Sequence, residues 1–165
     1  MRARLATAGI LAALTVGVFA APASATTDPR DGYPQSIRNE QTGRCLDSDS
    51  QGKVYTKPCT SNNPYQQWNP TSVNRVNLWT FRNVATGLCV TRVSDTTVRA
   101  MICAGSEYAP QTWDFNTAAR TNALLNVSLA LDSDSDGNVY LRPQTQNNRY
   151  QSWLFGYIPA TPARS

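Results

Sequence analysis

Leu46–Trp68 reads LDSDSQGKVYTKPCTSNNPYQQW, and 85 residues later Leu131–Trp153 reads LDSDSDGNVYLRPQTQNNRYQSW. Extended by one residue at the front, the two segments align without a gap and agree at 15 of 24 positions. Between them, Cys89–Trp113 keeps the same outline with one inserted residue but drops the acids and tyrosines. Each copy closes on Gln-x-Trp: Gln66 and Trp68, Gln111 and Trp113, Gln151 and Trp153. The approach to each copy also repeats. Ile37-Arg38-Asn39 corresponds to Phe81-Arg82-Asn83, and Leu124-Leu125-Asn126 corresponds to both if its turn is two residues shorter.

Short runs such as VYT and LWTFRNV lie between clusters of Asn, Asp, Gly and Pro, the pattern of strands separated by tight turns. No window of a dozen residues after the N-terminal apolar run carries a helical apolar period. A unit of roughly 40 residues built from short strands cannot bury its own apolar face, so three units must share one core. The expected fold is therefore all-β and three-fold, with repeats at about 36–70, 79–115 and 122–155 inside a domain at 36–157. The three Gln-x-Trp tryptophans are expected in that core.

The N-terminus reads as an export signal. Arg2 and Arg4 precede an apolar run that ends at Ala23-Ser24-Ala25, a small-residue cleavage site. On this reading residues 1–25 are removed, 26–35 form an N-terminal tail and 158–165 a C-terminal tail. The product is secreted and has no membrane segment. Cys45, Cys59, Cys89 and Cys103 are then expected as disulfides, for which three connectivities exist. Cys45 and Cys59 are separated by 14 positions, as are Cys89 and Cys103, while the third copy carries Ala130 and Gln144 at these places. Loss of both partners together predicts bonding within each repeat.

Charge excludes several functions. Without Arg2 and Arg4, 13 basic residues face 11 acidic ones, and the scattered arginines form no basic stripe of the kind nucleic acid requires. The chain has no histidine, which removes His-based triads and the commonest zinc ligand. Glu40 and Glu107 are the only glutamates, and the Asp-x-Asp pairs fall on turns in duplicate, a poor basis for one asymmetric acid–base pair. No catalytic residue and no cofactor is expected.

Three Gln-x-Trp repeats with paired cysteines, and Cys45-Leu46-Asp47 in the first, resemble the ricin-B-type β-trefoil lectins; the segment RNEQTGRCLDSDSQGKVYTKPCTSNNPYQQW is most similar to the actinohivin-like group. The resemblance covers about Ser36 to Phe155. It implies a β-trefoil that binds glycans, with the Asp two places after the first cysteine position as hydroxyl acceptor and two tyrosines walling the pocket. Those positions are Asp47, Tyr55 and Tyr65 in repeat 1, and Asp132, Tyr140 and Tyr150 in repeat 3. The chemistry suits a sugar: a carboxylate accepts bonds from two hydroxyls, and a ring covers the apolar pyranose face. Repeat 2 carries Thr91, Arg99 and Pro110 instead and reads as a structural copy.

This chain departs from the group at two kinds of position. Lys57 and Arg142 stand where an apolar residue is usual, and Thr60 and Thr145 replace an Asn. The missing amide is assigned to Asn63 and Asn148, with Asn62 and Asn147 as neighbours. The ligand is accordingly read as a mannose-rich or an acidic glycan. A different reading makes the acids purely structural: if Cys45 faces Cys59 across a hairpin, Asp47 lies opposite Lys57 and Asp132 opposite Arg142, two cross-strand ion pairs. A second rival function is a protein-binding trefoil, such as a protease inhibitor, although no extended loop interrupts the repeats. Asp132-Ser-Asp134-Ser-Asp136-Gly137 imitates half a calcium loop, but Pro143 occupies the place of the chelating Glu, so it reads as an acidic turn with no metal. Asn126-Val127-Ser128 matches a glycosylation acceptor by accident. The chain is read as a monomer.

Overall fold

The computed structural model describes residues 28–73, 77–105, 108–116 and 122–156; the expected leader and the C-terminal tail lie outside them. The fold is a β-trefoil. Twelve antiparallel strands are assigned among the described residues: β1 (Gln35–Asn39), β2 (Cys45–Ser48), β3 (Val54–Lys57), β4 (Gln67–Val73), β5 (Leu78–Asn83), β6 (Cys89–Arg92), β7 (Val98–Met101), β8 (Trp113–Asn116), β9 (Ala123–Asn126), β10 (Leu129–Ser133), β11 (Val139–Pro143) and β12 (Trp153–Gly156). Each repeat contributes four strands, with a single 3-10 turn before the fourth: Pro64–Gln66, Ala109–Gln111 and Arg149–Gln151.

Six strands form a ring. β1 pairs with β12 and β4, β4 with β5, β5 with β8, and β8 with β9. The Trp153 backbone N–H donates to the Asn122 carbonyl at 2.9 Å and closes the ring between β12 and the start of β9. The remaining strands form three hairpins, β2–β3, β6–β7 and β10–β11, which bond to one another at their centre. Thr56 N donates to the Gly137 carbonyl at 2.8 Å, Ala100 N to the Gly52 carbonyl at 2.9 Å, and Leu141 N to the Thr96 carbonyl at 3.2 Å.

The shared core is where the repeats require it. Trp68, Trp113 and Trp153 are fully buried, and their indole N–H groups donate to Leu46 O, Val90 O and Leu131 O at 3.0, 3.0 and 2.9 Å. Each tryptophan therefore fills the core and ties its own repeat's fourth strand to its second. Phe155 packs between Phe81 and Phe115, at centroid distances of 5.6 and 5.3 Å. Truncating any of the three tryptophans to Ala is expected to cost about 3–5 kcal/mol. The disulfides are Cys45–Cys59 and Cys89–Cys103, within repeats. Each closes a loop that contributes about 3 kcal/mol in the chain-entropy view.

Candidate functional site

The register of β2 on β3 corrects the cross-strand pairing expected from the cysteines. Cys45 faces Lys57, Leu46 faces Thr56, and Asp47 faces Tyr55; in repeat 3 Asp132 faces Tyr140 and Ala130 faces Arg142. Cys59 is not a strand residue. It lies two places beyond the end of β3, past Pro58, in the loop that leads to the 3-10 turn, so its bond to Cys45 does not mark the hairpin register. Among the described residues no ion pair joins Asp47 to Lys57 or Asp132 to Arg142; pairs are instead found at Arg92–Asp95 and Arg149–Glu40. The cations sit on the tyrosines. Lys57 Nζ lies 4.7 Å from the centre of the Tyr55 ring and Arg142 Cζ 5.2 Å from that of Tyr140. Alternation along β3 explains this, since residues 55 and 57 share a face two places apart.

Repeat 1 brings Asp47, Tyr55, Asn63 and Tyr65 to the wall of one cavity of about 480 Å³, together with Asp49, Lys57, Thr60 and Gln66. Asp47 is 3% exposed as a residue, while Tyr65 is 42% exposed, so a buried acceptor lies beside an open ring. The tyrosine hydroxyls of residues 55 and 140 are held above their ordinary pKa, first by burial and then by the charge of Asp47 and Asp132 respectively, and stay protonated donors at neutral pH. Burial also raises the Asp132 carboxyl, against the opposing effect of its bond from Gln151.

Gln66 does more than brace backbone. Its Oε1 accepts from Thr60 N at 2.8 Å, and its Nε2 donates to Pro58 O at 3.1 Å and to Asp47 Oδ2 at 3.0 Å. Gln151 repeats the set on Thr145 N, Pro143 O and Asp132 Oδ2, at 2.8, 3.0 and 3.0 Å. The glutamine thus fixes one oxygen of the carboxylate, and the Asp132 carboxylate accepts from the Ser133 backbone N–H as well. In repeat 2 Gln111 makes the same three bonds to Ala104 N, Ile102 O and Thr91 Oγ1. The Thr91 hydroxyl in turn donates to Cys89 O at 2.8 Å, and Arg99 is drawn away to Gln51 O at 2.9 Å. Exposed Val93, Met101, Ile102 and Tyr108 take the places held in repeat 1 by Asp49, Lys57, Pro58 and Asn63.

The paired asparagines divide their work. Asn62 and Asn147 adopt φ of 56° and 57°, the left-handed region that asparagine tolerates. Asn63 and Asn148 cap the 3-10 turns, each Oδ1 accepting from the backbone N–H of Tyr65 or Tyr150 at 3.1 Å. The Asn63 side chain lines the cavity, with its amide nitrogen left to donate.

Three asparagines from the following repeat hold these turns from behind, and sequence reading missed them. Asn83 Nδ2 donates to Tyr65 O at 2.8 Å, Asn39 Nδ2 to Tyr150 O at 2.7 Å, and Asn126 Nδ2 to Ala109 O and Thr112 O at 2.7 and 2.9 Å. Their recurrence at the end of each repeat's first strand was the available signal. Asn126 is 2% exposed and fully occupied by these bonds, which removes it as a glycosylation acceptor. The acidic turn is likewise self-contained: Asp134 Oδ1 accepts from Asp136 N and Asn138 N at 3.0 and 2.9 Å, and its Oδ2 from Asn138 Nδ2 at 2.8 Å. No group of three His, Cys, Asp or Glu among the described residues is placed to hold a metal ion.

A three-fold trefoil thus carries a buried Asp held by the Gln of Gln-x-Trp in its first and third repeats. Residues 25–97 match the family model described as ricin-type beta-trefoil lectin domain-like. The match supports that family and, in general, carbohydrate binding. No curated protein matches the chain. The ricin-type match runs from residue 25 into the β6–β7 turn, so it contains all of repeat 1 and half of repeat 2. Repeat 3 lies beyond the matched residues, yet it reproduces the Asp–Gln–Asn–Tyr geometry of repeat 1 bond for bond.

Proposed function

We propose that this chain is a secreted, monomeric lectin with carbohydrate sites in repeats 1 and 3 and none in repeat 2. The carrying observation is the cavity around Asp47. A carboxylate with one oxygen held by Gln66 stands beside Tyr55, Tyr65 and Asn63. In each site the Asp accepts two vicinal hydroxyls, the tyrosines cover the apolar face of the ring, and the Asn amide nitrogen donates. Asp132, Tyr140, Tyr150 and Asn148 take these roles in repeat 3. Two disulfides support an oxidising compartment, and among the described residues no helix is long and apolar enough to cross a membrane.

The ion-pair reading of the acids loses its support, because Asp47 and Asp132 face tyrosines rather than cations. Mannose-rich and acidic glycans are the two ligand classes in view, the first from resemblance to the actinohivin-like group and the second from Lys57 and Arg142. Two shallow sites on one rigid body act together on a branched or dense glycan. The test is a glycan array probed with the purified chain and with its Asp47→Asn, Asp132→Asn double variant. Binding by the parent, abolished in a double variant that keeps its fold, is the expected result. Equal binding by both proteins, or none by either, removes the reading.

A further inference from the structure

The repeat 1 pocket does not end at Tyr55. Tyr55, Lys57 and Asp49 also line a second cavity of about 530 Å³, which runs between the β2–β3 hairpin and the turn of repeat 3 at Asp136–Val139. Its floor is the contact between hairpins, where Thr56 N bonds the Gly137 carbonyl and Tyr55 bridges Asn138. Arg44, Lys53 and Lys57 bring three cations to this groove against Asp49 and Asp136. Asp49 Oδ1 already accepts from Gln51 N and Lys53 N at 3.0 and 2.9 Å, whereas neither Lys53 nor Lys57 is in an ion pair among the described residues, Lys57 being engaged by the Tyr55 side chain. Arg44 is anchored through Nε and Nη2 to Thr56 O at 3.4 and 3.1 Å, which leaves its Nη1 edge free to donate. Glycine at residue 137 keeps this corner open: a Cβ there would press on the Thr56 carbonyl oxygen at 2.5 Å and lie 3.1 Å from Arg44 Nη2.

Among the three repeats, the full set of three cations occurs in repeat 1. The places of Arg44, Lys53 and Lys57 are taken by Leu129, Asn138 and Arg142 in repeat 3, and by Leu88, Thr97 and Met101 in repeat 2. We propose that repeat 1 is an extended site for an acidic oligosaccharide, with one ring over Asp47 and a carboxylate or sulfate of the adjoining sugar in the groove of Arg44, Lys53 and Lys57. The inference rests on the lectin reading of repeat 1 and adds the substrate class and the length. Lys57, lying over the Tyr55 ring that walls both cavities, joins the two subsites.

The experiment is titration calorimetry of the purified chain with three probes: an oligouronate, a sulfated oligosaccharide and a neutral oligomannose. Each is run at low and high salt, with the Lys53→Gln and Asp47→Asn variants alongside. Lys53 is exposed and lies outside the Asp47 pocket, so its exchange spares the first subsite. The expected result is tighter binding of an acidic probe, weakened by salt and by about fivefold in Lys53→Gln, with oligomannose unaffected by either. The carboxylate and sulfate arms then name the anionic group. Oligomannose binding that depends on Asp47, with acidic probes no tighter and Lys53→Gln silent, overturns the extension and leaves the lectin reading standing. Binding whose affinity and stoichiometry are both unchanged in Asp47→Asn overturns the repeat 1 site and the extension with it, and no glycan binding by the parent chain overturns the lectin reading as well.

Discussion

Gln66 Nε2 stands 3.0 Å from Asp47 Oδ2, so the residue that marks the repeat motif also holds the residue that marks the site. The third copy repeats the relation between Gln151 and Asp132, and the second keeps the glutamine but offers it Thr91. Structure and recognition therefore share one side chain in repeats 1 and 3 and separate in repeat 2. That separation makes the glutamine's two roles measurable. Gln66→Ala and Gln111→Ala each remove two part-buried bonds to a backbone N–H and a carbonyl and one buried bond, to Asp47 or to Thr91, and each is expected to lower unfolding stability by about 1–3 kcal/mol in urea titrations. Only Gln66→Ala is expected to weaken glycan binding as well. Equal effects of both variants on binding would place the glutamine's influence on the fold alone.

The cross-repeat asparagines give a less obvious expectation. Asn83 belongs to repeat 2, yet its side chain holds Tyr65 O of repeat 1, and its Oδ1 accepts from Ala85 N and Thr86 N at 3.1 Å each. Asn39 of repeat 1 holds Tyr150 O of repeat 3 in the same way. Asn83→Ala should therefore loosen the repeat 1 site and Asn39→Ala the repeat 3 site, each with a stability loss of about 1–3 kcal/mol. The assignment is read by measuring each variant in the background of Asp47→Asn or Asp132→Asn, which leaves a single working site.

The hairpin contacts at the trefoil centre can be probed by two glycines. Gly52 and Gly43 both have positive φ, 76° and 67°. A Cβ at residue 43 meets nothing within 4 Å, whereas one at residue 52 presses into the Ala100 carbonyl, a backbone atom that cannot swing aside. Gly43→Ala is expected to cost about 1–2 kcal/mol, the strain of the left-handed conformation. Gly52→Ala should cost that plus the separation of two hairpins, and should lower the melting temperature further. Equal losses in the two variants would show that the hairpins part freely.

These cases show what the chain discloses in one dimension. Trp68, Trp113 and Trp153 announce the shared core because a repeat of this length has nowhere else to bury an indole. Cys45 and Cys59 announce their bond because Ala130 and Gln144 replace both partners together in the third copy. Asp47 and Asp132 stand out against Thr91 because the frame around Thr91 survives their loss. The register was misread because Cys59 follows Pro58 out of the strand, and spacing alone does not say where a strand stops. Asn83 and Arg44 were missed for a different reason. Their partners, Tyr65 in the preceding repeat and the Thr56–Gly137 contact between hairpins, become neighbours only when three repeats close on one another.

Acid sensitivity follows from Asp132. Burial holds its carboxyl above the ordinary aspartate value, so it takes up a proton at a higher pH than an exposed aspartate. The protonated group is a donor on one oxygen and no longer the charged acceptor that two sugar hydroxyls require. Binding by repeat 3, isolated in the Asp47→Asn variant and measured with a neutral glycan, should therefore begin to fall while the pH is still above about 4. The sign for stability is the opposite. A carboxyl with a raised folded-state value disfavours folding above that value, and the penalty is relieved as the pH falls through it, so unfolding by Asp132 cannot mimic the loss of binding. Asp134 acts the other way: its bonds from Asn138 hold it below the ordinary value, and its contribution is lost as the pH falls through that lower range. Calorimetric affinity and circular dichroism followed together from pH 7 to 3 separate the two. Affinity should decline first, with the fold intact, and simultaneous loss of both would refute the assignment of Asp132 as the acceptor.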